Sequence, residues 1–236
     1  MLRATLENEQ EWIKVHAAEA LLSVHHPEGV LAAFQREQML HGAEPKYRIG
    51  IWPGSDRLHA AETLAKLGYR AGGREMDAFG LVARERSGSL AVDVRWVLVN
   101  SGQRMAEARL AEMLDSDDAG TRDDAAYAIR HLPSVAPATW DRLAAAAKRE
   151  PLASDVRSNL MSAAFRHAPA DQRATYKAEV VKYAGAGTPD QKFEACAVLG
   201  LAGETDVLPL LTQLLDNPDA NVRVGAAEAV LRLTRR

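Results

Sequence analysis

Between Thr205 and Leu233 the apolar positions fall into two helical stripes separated by a single break. Val207, Leu210, Leu211, Leu214 and Leu215 recur at three- and four-residue spacing and predict a first helix over Thr205 to Leu215. Pro209 falls in its first turn, where a missing N–H does little harm. Asp216-Asn217-Pro218-Asp219 then stops that helix and supplies a cap for the next. Val222, Ala226, Ala229, Val230 and Leu233 form the stripe of a second helix, built from small and branched side chains.

The second-helix pattern, V-R-V-G-A-A-E-A-V-L-R-L at Val222 to Leu233, returns along the chain. Val15 to Leu22 and Leu58 to Ala65 are close copies. Asp124 to Ile129, Val156 to Phe165 and Phe193 to Leu199 are weaker ones, and Val92 to Val99 is a degenerate seventh. Anchored on Ala17, Ala60, Asp93, Ala125, Leu160, Glu194 and Ala226, the copies step by about 43, 33, 32, 35, 34 and 32 residues, in or near the range of two-helix repeats. First helices are predicted between them at Pro27 to Met39, Glu75 to Glu85, Arg104 to Leu114, Ala138 to Lys148, Asp171 to Tyr183 and Thr205 to Leu215. The pattern thus predicts one repeat domain over residues 1–236, with an irregular corner near 45–57, where Trp52-Pro53-Gly54 interrupts the oversized first step.

Composition narrows the functional classes. Aromatics are only 6% of the 236 residues, which suits helices packed through Ala and Leu. A net charge of −3 leaves no excess of cations to neutralise many phosphates, so general nucleic-acid binding is disfavoured. Cys196 is the single cysteine, which excludes an internal disulfide and a Cys-rich zinc site. No apolar run approaches the roughly 20 residues a membrane span needs, and the polar start, with Glu7, Glu9 and Glu11, lacks the centre of a secretory signal. A cytoplasmic protein without membrane insertion is the expectation.

The repeated signatures, best at Ala202 to Leu233, resemble the HEAT repeat, in particular the short bacterial variety called PBS-lyase HEAT-like repeats. The resemblance implies an all-α fold: an α-α superhelix, or HEAT-like solenoid of the armadillo-like kind, with about six to seven helical hairpins. Its first helices would lie outside and its second helices would line a concave surface. Such repeats serve many roles, and fold does not set function. Stacked hairpins do offer a long preorganised surface, so the expected function is a non-enzymatic scaffold that binds a protein or peptide partner there. Leu233-Thr234-Arg235-Arg236 leaves almost no polar capping helix after the last repeat, which adds the expectation of an apolar end face covered by a partner, a dimer mate or further residues.

Positions off the apolar stripe are the candidates for that surface. They comprise His16, Glu19, His59, Glu62, Arg95, Asp124, Tyr127, Asn159 and Glu228. The two His/Glu pairs raise a metal-binding alternative, since imidazole and carboxylate on adjacent helices can converge on one ion. HEAT-like deoxyhypusine hydroxylase holds a di-iron centre with His-Glu dipeptides, and this chain has none, so no metal or other cofactor is expected. A bilin-lyase-like enzyme and a DNA-binding repair module are the further alternatives. The second draws on Trp12, Trp52, Trp96 and Trp140 and on arginines such as Arg48, Arg57, Arg70 and Arg74. Acidic neighbours including Glu75, Asp77 and Glu85 make a mixed, solvated surface the expected outcome for those arginines. No nucleophile–base constellation surrounds Cys196, and His131 and His167 read as stabilisers of helix ends.

Overall fold

The computed structural model describes residues 2–8, 29, 62, 64–66, 68–103, 105–152 and 154–234. Among these the fold is all-α, with no strand. The predicted elements at Val15 to Leu22 and Pro27 to Met39, the corner near 45–57, and the residues His16, Glu19 and His59 lie outside the described residues. The chain divides into two compact units, Met1–Met113 and Leu114–Arg236.

In the first unit, α1 spans Leu2–Asn8, α2 Gly73–Glu85, α3 Gly88–Asn100 and α4 Ala106–Glu112. Helix α3 packs on α2 and on α4. Its face is nearly all apolar: Ala91, Val92, Val94, Trp96 and Val97 are all buried. Leu64 and Ala65, from the second sequence copy, are buried as well. Helix α3 ends where Gly102 adopts φ +79°, so that Gly102 N–H reaches Val99 O and Gln103 N–H reaches Leu98 O. This left-handed cap satisfies two otherwise orphaned carbonyls.

A 3-10 turn at Met113–Asp115 spans the division, and the second unit contains α5 Ala119–His131, α6 Pro137–Arg149, α7 Asp155–Arg166, α8 Ala170–Ala186, α9 Pro189–Leu201, α10 Leu208–Leu214 and α11 Ala220–Thr234. Its second helices, α5, α7, α9 and α11, pack on one another in direct succession. The first helices flank them: α6 lies on α7, α8 on α7 and α9, and α10 on α11. This is the stacked-hairpin arrangement that the repeating stripes predict. Each second helix starts at a polar residue. Asp118 accepts from Thr121 N at 2.7 Å, Thr188 forms a capping box with Gln191, and Asp219 accepts from Asn221 N and Val222 N. Ser154 stands at the same place without a side-chain cap bond.

Counting from these starts corrects the register. The seventh residue after Ser87, Asp118, Ser154, Thr188 and Asp219 is Val94, Ala125, Met161, Ala195 and Ala226, and all five are buried. The sequence anchors Asp93, Leu160 and Glu194 are each one residue early. Ala-rich helices have wide apolar arcs, so a shift of 100° along the stripe still finds small apolar neighbours. The helix starts remove that ambiguity, fixed by a cap hydrogen bond at Asp118, Thr188 and Asp219 and by the extended backbone of Ser87 and Ser154.

Small residues set how closely the stack can pack. A Cβ on Gly200 of α9 would lie 2.8 Å from Ala229 Cα of α11, and one on Gly225 would lie 2.8 Å from the Phe193 ring. Trp140 joins three helices: its indole N–H donates to Ala164 O of α7 at 3.0 Å and its ring meets Tyr176 of α8 edge-on at 5.9 Å.

Candidate functional site

The polar chemistry of the second unit gathers on its second helices. Arg130 in the last turn of α5 is 2% exposed, yet it carries a full guanidinium. Its Nη1 donates to Glu194 of α9 and to Asn159 Oδ1 of α7 at 3.2 Å. Asn159 Nδ2 in turn donates to Asp123 Oδ1 of α5 at 2.8 Å. One arginine thereby ties three consecutive hairpins together across the middle helix. The middle helix permits this because Ser162, Ala163 and Asn159 are small and buried there.

The electrostatics agree with that geometry. Burial works against the charge of Arg130, but Glu194, with Tyr127 and Asp123, more than offsets it and holds the guanidinium above its ordinary pKa. Asp123 is raised, first by burial and despite its bond from Asn159, with Asp124 and Glu194 adding like-charge repulsion. Arg130 Nε finds no partner, so the network is not fully satisfied. The Arg130 guanidinium also lies 4.7 Å above the Tyr127 ring centre, on which the His131 ring rests at 4.6 Å.

The sequence-predicted surface residues distribute unevenly. Asp124 and Tyr127 of α5 and Glu228 of α11 are half-buried, and Glu228 pairs with Arg232 at 2.6 Å. Asn159 is 8% exposed and belongs to the interior network instead of an open surface. Arg95 is turned away: its guanidinium donates to Ala91 O at 2.9 Å and to Ala83 O of α2 at 2.6 Å, so it closes the last turn of the first helix in its own hairpin. In the first unit, Glu62 pairs with Lys66 at 2.9 Å along the chain.

Trp96 and Trp140 are buried, which places two of the four tryptophans in the core. His131 Nδ1 meets Tyr127 O and His167 Nε2 meets Ile129 O, each at 2.8 Å, at the ends of α5 and α7. Among the described residues, no three His, Cys, Asp or Glu side chains group as metal ligands. Cys196 is fully buried between helices, and burial pushes its thiol up to about 11. Cys196 is therefore expected to react with a thiol reagent only on unfolding, with modification under native conditions slower by orders of magnitude. Timed labelling with and without denaturant measures this.

A depression of about 240 Å³ lies beside the start of α5, lined by Asp115, Ser116, Asp117, Arg122, Arg149 and Glu150. Four of its charged residues are paired across the hairpins: Arg122 holds Glu150 through both Nε and Nη2, and Asp115 takes Arg149, with Arg142 beside it. The pairing lowers the Glu150 pKa, chiefly through the Arg122 bond.

Sequence reasoning missed Arg130, Glu194 and Asp123. The available signal was a charge at Arg130 on a position where the equivalent residues of α9 and α11 are Gly200 and Leu231. No family model matches the chain, and no curated protein matches it either.

Proposed function

We propose that this chain is a non-enzymatic interaction scaffold of the HEAT-like kind, which binds a protein or peptide partner on the exposed side of its second helices. One observation carries the reading: α5, α7, α9 and α11 pack in direct succession and are cross-tied by Arg130, Asn159 and Glu194. A surface held that firmly loses little freedom when a partner docks, and association then keeps more of its contact energy. Tyr127 suits the role of anchor. It is aromatic, half-buried, and oriented by Arg130 below it, with Asp124 on the same helix.

The test starts from affinity capture with the full chain, followed by titration of the identified partner against purified variants. Tyr127→Ala combined with Asp124→Lys is expected to weaken binding about tenfold or more, which corresponds to about 1.4 kcal/mol, when measured below the melting transition of the variant. Unchanged affinity in that variant would reject the surface.

A further inference from the structure

Helix α11 carries apolar and small residues on two opposite sides. Val222, Gly225, Ala226 and Ala229 are buried, and the helix packs on α9 and α10. The other side holds Val224, Ala227, Leu231 and Thr234, at spacings of three, four and three. At 100° per residue the two stripes centre about 170° apart. A four-three repeat is the spacing of a helix–helix seam, with Val224 and Leu231 at one core position and Ala227 and Thr234 at the other.

The outer seam is open. Val224 is 60% exposed and Leu231 49%, and both are among the few large apolar side chains so exposed in the described residues. Their counterparts elsewhere in the stack are engaged. In α5 these are Asp123 and the buried Arg130, both bonded into the interior network. In α9 they are Phe193, whose ring sits against Gly225, and Gly200, which sits against Ala229. The same side of each earlier second helix is thus an established helix–helix interface, and α11 continues it.

Charge identifies what fits there. Arg122 and Arg223 occupy the same place, four residues after their caps. Each lays Nη1 on two carbonyls just upstream: Ser116 and Asp117 for the first, Asn217 and Pro218 for the second, at 2.8–3.0 Å. Arg122 also reaches out to Glu150 of the following hairpin. Arg223 has no carboxylate within 4 Å among the described residues. Glu228 lies five residues on, along the opposite flank of the seam. In a parallel two-stranded pair, residues at these two flanking positions face each other across the seam. Arg223 of each chain would therefore meet Glu228 of the other, twice by symmetry. The Glu228 carboxylate already accepts from Arg232 in its own helix and retains lone pairs for a second donor.

We propose that α11 pairs in parallel with α11 of a second copy of this chain, through a Val224–Ala227–Leu231 seam flanked by Arg223–Glu228 ion pairs. This surface is separate from Tyr127 and Asp124, so dimerisation and partner binding fail independently. The seam is short, so the dimer is in equilibrium with monomer and responds to concentration.

Sedimentation velocity on the full chain, from low micromolar to several hundred micromolar, reads this directly. The expected result is a concentration-dependent monomer–dimer equilibrium. V224D together with L231D, at positions already exposed, abolishes it while the thermal melt is kept. R223E alone weakens association several-fold, and R223E with E228R and R232E restores it, because both ion pairs of Glu228 are then inverted. A monomer at every concentration overturns the proposal, as does a dimer that persists in V224D/L231D. Failure of the charge inversion to restore association overturns the parallel arrangement.

Discussion

Glu194→Ala is expected to lower the unfolding free energy by about 3 kcal/mol, the largest effect of any single substitution outside the apolar core. Glu194 is itself only partly buried, but its partner Arg130 is 2% exposed and has no route to water from beneath Tyr127 and α7. Removing the carboxylate leaves Asn159 as the remaining strong acceptor, at 3.2 Å, beside an Nε that already lacks a partner. An uncompensated buried guanidinium costs far more than the lost pair contributes, since the pair's own attraction largely offsets its desolvation. The double variant Arg130→Met with Glu194→Leu is accordingly expected to recover most of the loss, because both charges then leave together. Urea unfolding of the two variants and the parent measures this. A Glu194→Ala protein as stable as the parent would show that the cross-tie is not tight.

The second large effect is predicted for Gly200→Ala. In an ordinary helix interior this exchange favours the helix by about 1 kcal/mol. Here the added Cβ would stand 2.8 Å from Ala229 Cα and 3.0 Å from its Cβ, both part of or fixed to the backbone of α11. No flexible side chain can yield, so α11 itself has to move off α9. Overpacking of this kind costs about 1–3 kcal/mol, which against the propensity gain leaves net destabilisation of about 1 kcal/mol. Hydrogen exchange is expected to rise along α11 and to stay unchanged in α5 and α6. Gly185→Ala in α8 is the control, since a Cβ there meets nothing within 4 Å. Its stability is expected to hold or rise slightly. Equal behaviour of the two variants would refute the argument.

Both predictions rest on residues whose roles the sequence shows poorly. Arg130 reads as one more polar residue near a helix end, 64 positions from Glu194, and nothing local distinguishes it from Arg232 on a solvated face. Gly200 and Gly225 look like two weak spots in otherwise good helices, and each is in fact a point of close approach. Asp124, Tyr127 and Glu228 were legible as off-stripe residues because helical periodicity assigns faces reliably within one helix. Arg95 and Asn159 were misplaced because periodicity does not say how one helix is rotated against the next.

The alternation of first and second helices, their approximate bounds and the polar start at Asp219 follow from the chain alone. Each depends on neighbours within a few residues: apolar spacing, a capping oxygen, a glycine such as Gly102 or Gly203 that can take positive φ. Tertiary structure decided the rest. The rotation of α3, α7 and α9, the arginine reaching over α7, and the open seam on α11 all depend on which side chain meets which across helices. Those distances are set by packing volume and buried charge, quantities that belong to the assembled stack and to no single segment.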